Sequence, residues 1–356
     1  MSKKTKVNFP RFGSYDVCVE HIIRSGLDCD YVYAPPITKK TLEIGTKYSP
    51  DFICTPFKYN LGGYIEAIEA GANTLIQVGG VCRLGYYGEL QEQILKDLGY
   101  DVKFVNLSNG DFKNPITFYD EFKKINPKLH IKKLASACTL AVKMVEVIDK
   151  VEDFIRQNVG FEKVDGSFDK LHQEFLDDLR EIKDKKELNL IYRLYMKKLK
   201  NVEIDKPKNP LKVGFVGEYY TIQDGYSNHY MEKELAKRGI VIYRWMNLTN
   251  SILNPQTKEI KQSIKNYAKY DMGATAMHTI KKAIDYAKDG VDGIIHVKSF
   301  GCTPEIDTMP VLQRISEDYK IPIIYFSFDS QTSDVGIQTR VEAFYDMIMM
   351  RKEEKK

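Results

Sequence analysis

Between Thr74 and Leu107 the chain reads TLIQVGGVCRLGYYGELQEQILKDLGYDVKFVNL, and this stretch decides the fold. Thr74 to Val78 is a β-branched strand, Glu89 to Leu98 a helix closed by Gly99, and Val102 to Leu107 a second strand. Strands separated by a helix of this length form parallel βαβ units. Toward the N-terminus the same rhythm continues. Val7 to Phe12 is extended, Tyr15 to Ser25 amphipathic, and Asp30 to Ala34 a short strand ended by Pro35-Pro36. Thr38 to Tyr48 then reads as helix, Asp51 to Cys54 as strand, and Gly62 to Ala70 as helix.

Toward the C-terminus the pattern changes. From Ala137 to Lys200 apolar residues recur at helical spacing (Leu140, Met144, Val147, Val151; Leu171, Phe175, Leu179; Ile191, Tyr195, Leu199) among dense charges. That is an amphipathic helical insert with wet faces. Lys206-Pro-Lys-Asn-Pro210 reads as a linker, after which strands and helices alternate again. Leu211 to Val216, Val241 to Trp245, Gly293 to Val297 and Ile321 to Phe326 are strands. Asn228 to Gly239, which Asn228 would cap, His278 to Lys288, Met309 to Tyr319 and Thr339 to Met350 are helices. The expected architecture is α/β: two lobes with mainly parallel sheets flanked by helices. The N-terminal lobe spans residues 1–136, the helical insert and linker 137–208, and the C-terminal lobe 209–356.

At 356 residues two lobes are the default. The charge is nearly balanced, 53 basic against 49 acidic residues, which leaves no electrostatic footprint for nucleic acid. No segment approaches the roughly 20 apolar residues that cross a bilayer, and the basic opening Met1 to Lys6 leads into no long apolar run, so no membrane span and no secretory signal is expected. The expected compartment is the reducing cytoplasm, where six cysteines are thiols or metal ligands rather than disulfides. The closing Arg351 to Lys356 reads as a frayed, solvated tail.

The cysteines sort into two groups. Cys18, inside a predicted helix, Cys29, at a strand start, and Cys138, at the start of the insert, read as small buried apolar residues. Cys54, Cys82 and Cys302 each fall at the C-terminal end of a predicted strand, where open parallel sheets bind their ligands. Two come from the first lobe and one from the second, so they are placed to converge in an inter-lobe cleft. Any one alone is an ordinary buried cysteine as readily as a ligand. Gly79, Gly80 and Gly301 would let backbone approach a bulky inorganic group. Structural zinc draws four ligands from close Cys-x-x-Cys pairs, which are absent. A [4Fe–4S] cluster usually takes four cysteines, so three would leave one iron open.

Other motifs carry less. There is no G-x-x-x-x-G-K-[ST] and no G-x-S-x-G, so neither a P-loop nucleotidase nor a hydrolase elbow is present. Gly214-Phe-Val-Gly217 lacks the full dinucleotide turn, and Asp224 to Asn228 reads as a plain turn before a phosphate site.

Several stretches together resemble the 2-hydroxyacyl-CoA dehydratase/benzoyl-CoA reductase family, and within it the activase-associated branch. They are Phe9-Pro-Arg-Phe-Gly13, Thr38-Lys-Lys-Thr-Leu-Glu-Ile-Gly45, Cys54-Thr-Pro-Phe-Lys58, Gly79-Gly-Val-Cys-Arg-Leu-Gly-Tyr-Tyr87, Val216-Gly-Glu218, Phe300-Gly-Cys-Thr-Pro-Glu305 and Thr339-Arg-Val-Glu-Ala-Phe344. The resemblance implies a low-potential iron–sulfur protein taking single electrons from an ATP-hydrolysing iron–sulfur activator. Dehydratase members pass the electron to a 2-hydroxyacyl-CoA, whose ketyl radical loses water; relatives with a double-cubane [8Fe–9S] cluster reduce small molecules. It implies Cys54, Cys82 and Cys302 as ligands of a single [4Fe–4S] cluster, the double cubane requiring Cys18, Cys29 or Cys138 as well. It also implies a dimer, with itself or with a homologous subunit, and a small-molecule or acyl-CoA substrate. The rival expectation is a non-catalytic electron-transfer or cluster-carrying subunit.

Lys58 and Arg83 directly follow ligand positions and would offset cluster charge, or else are surface cations. Glu218 is the candidate proton donor or oxygen ligand, with helix capping the plainer alternative. Glu305 reads as a helix-initiating acid, His229 as a structural histidine near a helix start, and His296 as core.

Overall fold

The computed structural model describes residues 5–78, 82–107 and 115–354; the side chains at 83, 84 and 115–117 lie outside that description. The chain divides into two compact units, Met1–Val145 with Asp178–Leu188 and Glu146–Asp177 with Asn189–Lys356.

In the first unit β1 (Lys6–Asn8), α1 (Asp16–His21), β2 (Asp30–Tyr31), α2 (Lys39–Tyr48) and α3 (Thr55–Glu69) come first. They are followed by β3 (Thr74–Gln77), α4 (Tyr87–Asp97), β4 (Lys103–Asn106) and α5 (Pro115–Ile125). The strands pair in parallel in the order β2-β1-β3-β4. Apolar side chains cover both faces. Val7, Ile76 and Val105 pack with Ile23 and Phe122, whereas Leu75 packs with Phe57, Tyr64 and Leu95. Neighbouring Leu75 and Ile76 face opposite ways because side chains alternate along a strand.

The amphipathic run folds into α6 (Ile131–Asn158), α7 (Ser167–Arg180) and α8 (Lys185–Lys200). In the second unit β5 (Leu211–Gly217), α9 (Tyr219–Gln223), α10 (Met231–Ala236), β6 (Ile240–Tyr243) and α11 (Thr257–Ser263) follow. Then come α12 (Ala276–Lys288), β7 (Gly293–Ser299), α13 (Thr303–Tyr319), β8 (Ile323–Phe328) and α14 (Asp334–Glu354). Its sheet is parallel in the order β6-β5-β7-β8. On one face Phe215, Ile295, Val297 and Phe326 pack against Val341 and Phe344; on the other Val216 and Ile294 pack against Ile280, Ala283 and Leu312. Burying such a side chain fully contributes about 1.5–3 kcal/mol. The molecule is therefore an α/β protein with two four-stranded parallel sheets flanked by helices.

Several local expectations shift. Asp51 to Cys54 is not a strand but a turn, with the Ile53 amide donating to the Pro50 carbonyl at 3.3 Å. The segment joins α2 to α3, and the tight pairing of those two helices holds it in a turn. A Cβ on Gly45 would sit 1.8 Å from the Lys58 carbonyl oxygen, and one on Gly62 2.0 Å from that of Thr41. Backbone meets backbone there, and α3 begins seven residues earlier than its periodicity suggests, at Thr55 with Pro56 in its first turn. Likewise α13 begins at Thr303 and runs through Pro310. Asn228 lies outside α10, yet its side-chain oxygen accepts from the Met231 amide at 3.1 Å. The chain end is no frayed tail as far as Glu354: α14 continues, Arg351 donates to the Lys320 carbonyl, and Lys352 reaches the Pro210 carbonyl and Asp292.

Candidate cysteine site

None of the six cysteines is in a disulfide. Cys18 and Cys29 are buried, at 4% and 5% exposure, and Cys29 and Cys138 belong to the packing around β1. Burial pushes the Cys138 thiol up. Cys54, Cys82 and Cys302 are partly exposed, and so is Cys138, which the sequence suggests is buried but which lies on α6 only partly covered by that packing. That contrast is chemical, since only a thiol with solvent access can take an external ligand.

In the first unit Cys54 is the N-cap of α3, and its Sγ is hydrogen-bonded to the Tyr87 hydroxyl at 3.0 Å. Tyr87 opens α4 and stands edge-on to Phe57, ring centroids 4.9 Å apart. Cys82 lies in the turn that leads into α4, where its carbonyl accepts from the Gly85 amide at 3.1 Å. The α4 N-terminus thus binds the loops of Cys54 and Cys82 into one local structure. Lys58, one turn into α3, is 5% exposed and its ammonium donates to the Asp51 carbonyl at 3.3 Å. It is a buried cation bracing the Cys54 turn, and no surface lysine. Gly79 and Gly80 lie outside the described residues, as does the side chain of Arg83.

In the second unit Cys302 follows β7 and is the N-cap of the 17-residue α13. The Cys302 amide donates to the Ser299 carbonyl at 3.0 Å, and the Phe300 amide to the Phe328 carbonyl at 2.8 Å. The positive end of a helix favours anionic sulfur at this position. Behind Cys302 lies a polar cluster that the sequence does not advertise. His296 and Lys298 occupy alternate positions on the β7 face whose earlier member is Ile294, so that face turns from apolar to polar under the start of α13. Glu305, fully buried, accepts from His296 Nε2 at 2.8 Å and Thr279 Oγ1 at 3.0 Å, and is hydrogen-bonded by the Thr275 hydroxyl.

Glu218 is the N-cap of α9, its carboxylate accepting from the amides of Tyr220 and Thr221 at 2.6 and 3.0 Å. Burial pushes its carboxyl up and the nearby Glu305 adds to this, while the capping amides and the Thr221 hydroxyl oppose it. His229 is bonded to Asp334 and stacked on Phe328. His296 is core, as expected. Lys298 and Tyr87 were missed by sequence reasoning. The signal for Lys298 was a charge two residues after His296, on the same face of the strand that begins at Gly293; that for Tyr87 was its place in the Cys82-to-Tyr87 motif. Among the described residues no group of three or more His, Cys, Asp or Glu side chains stands assembled as a metal site.

The parallel sheets and the helix-capping thiols define an α/β protein with partly exposed cysteines beside strand and helix termini. The model of the family described as 2-hydroxyglutaryl-CoA dehydratase, D-component, matches residues 120–348. The chain belongs to this family. The matched span takes in Glu218, Lys298 and Cys302, and ends short of the Cys54 and Cys82 loops. No curated protein matches the chain. Among the described residues no helix is long and apolar enough to cross a membrane.

Proposed function

We propose that this protein is an iron–sulfur component of a 2-hydroxyacyl-CoA dehydratase-type system, with Cys54, Cys82 and Cys302 as ligands of a [4Fe–4S] cluster. The observation that carries the reading is the placement of the cysteines: these three are partly exposed at turns, two of them as helix N-caps, while Cys18 and Cys29 are buried and the partly exposed Cys138 sits within α6. The donor set fits the group, because thiolates are the usual ligands of iron–sulfur clusters. With Cys29 in the β1 packing and Cys138 against it, a larger double cubane would have to open the core to gain ligands, which favours the smaller cluster.

When bound, the cluster supplies single low-potential electrons, received from an ATP-hydrolysing activator, to a 2-hydroxyacyl-CoA or a small molecule. The chain's own residues do the rest. Tyr87 fixes the Cys54 rotamer through the 3.0 Å contact. Lys58 holds the turn before Cys54. Glu218, with its carboxyl pushed up by burial, is a candidate holder of a proton at a carboxylate oxygen, although its two amide donors also give it a capping role.

The test is iron and acid-labile sulfide per chain, with electron paramagnetic resonance of the dithionite-reduced protein, on material purified without oxygen. About four irons per chain, lost in each of Cys54→Ala, Cys82→Ala and Cys302→Ala, is the expected result. Iron retained in all three variants, or absent from the wild type, overturns it. A cluster present with every iron fully ligated would instead favour a non-catalytic electron-transfer subunit.

A further inference from the structure

Lys298 is 4% exposed, on β7, four residues before Cys302. Among the described residues its one hydrogen bond is long, from the ammonium to the Phe300 carbonyl at 3.4 Å, within the turn that ends at Cys302, and the ammonium also lies 5.9 Å from the centroid of the Phe300 ring. An ammonium carries three donors. Burying it costs several kcal/mol unless it is paired and hydrogen-bonded. Burial accordingly pulls Lys298 down, while Cys302 and Glu305 favour its charged form. Glu305 is already engaged by His296, Thr275 and Thr279, so it is no dedicated partner for the ammonium. A lysine buried with donors uncommitted, on the turn that presents a thiol, is arranged to meet an anion at that thiol.

We propose that Lys298 is a positioning residue that acts through Cys302, donating to the sulfur atoms held there and setting how readily the site accepts an electron. This rests on the cluster reading above. A fixed positive charge beside a thiolate-bound cluster favours the reduced, more negative state, and hydrogen bonds to its sulfurs raise its potential. The charge is tethered to the same turn as the ligand, so it moves with Cys302.

The experiment is a redox titration followed by electron paramagnetic resonance, on wild type, Lys298→Met, Lys298→Gln and Lys298→Arg purified without oxygen, with iron content and circular dichroism measured alongside. The two neutral variants are expected to lower the midpoint potential by about 59 mV, a tenfold loss in the reduction equilibrium for one electron, with Lys298→Arg close to wild type. Lys298→Gln carries the test if Lys298→Met does not fold. Iron lost from the folded neutral variants but kept in Lys298→Arg also supports the charge requirement. An unmoved potential at full iron overturns the proposal, as does equal loss of iron in all three, which would mark a packing role. Absence of iron from the wild type overturns the cluster reading itself, and this proposal with it.

Discussion

Glu218 combines a helix-capping carboxylate with a buried carboxyl whose proton affinity is raised. As the N-cap of α9 it satisfies two amides that the helix cannot. Glu218→Ala should therefore cost about 1 kcal/mol in urea unfolding, an effect that a solvent-exposed glutamate would not give. The pH dependence has a definite sign. Burial raises the folded carboxyl above its ordinary value of 4.5, so over the interval above that value the folded chain binds more protons than the unfolded one. Stability then falls as pH rises through the interval. Glu218→Gln removes the titration, so its stability relative to wild type should improve as pH is raised from 4.5; a constant difference would mean that the carboxyl is not perturbed.

Backbone contact holds α2 and α3 in the first unit, and a buried ion network ties α6, α7 and α10 in the second. Gly45 and Gly62 let α2 and α3 touch backbone to backbone, and α3 is the helix that Cys54 caps. Gly62→Ala has to push the helices apart. Overpacking of this kind costs about 1–3 kcal/mol, and the expected outcome is a lower unfolding midpoint together with weaker iron retention, because the Cys54 turn moves with α3. In the second unit Glu152 of α6 meets His172 of α7 at 3.4 Å, Arg156 at 3.3 Å and Arg244, just past β6, at 3.4 Å. Glu232 of α10 closes the network, 3.1 Å from Arg156 and 3.2 Å from Arg244. Burial by itself would raise the Glu152 carboxyl, but His172 and the two guanidinium groups hold it well below the usual carboxylate range. Glu152→Ala leaves Arg156 and Arg244 with Glu232 as their remaining shared acid and should cost about 1–3 kcal/mol. Since the folded value is depressed, the contribution is present above the unfolded value near 4.5 and is lost as pH falls. The wild type should therefore lose stability more steeply below pH 4.5 than its remaining carboxylates alone would cause, and Glu152→Gln should flatten the acid limb of the stability curve.

At the scale of the whole molecule, each unit has apolar packing on both faces of its own sheet, and the three candidate thiols stand at turns and helix caps at its margin, Cys54 touching the cluster around Leu75. Cys54→Ala, Cys82→Ala and Cys302→Ala should accordingly keep the far-ultraviolet circular dichroism of the wild type while losing iron. Collapse of the spectrum in any of them would mean that the cysteine is a packing residue. By itself the sequence determined the parallel α/β class, the helical run after Ala137 and the burial of Cys18 and Cys29, though not the partial exposure of Cys138. Those rest on periodicity, β-branching and turn residues, which are local properties of the chain. Only the tertiary structure decided that Cys54 caps a helix rather than ending a strand, that Lys58 and Lys298 are buried, and that His296 and Glu305 face each other. A four-residue segment such as Asp51 to Cys54 takes its conformation from what packs around it, here the α2–α3 contact. A lysine in a strand is read as a wet side chain until the fold closes over it. Burial and pairing arise between residues distant along the chain, and no local pattern encodes them.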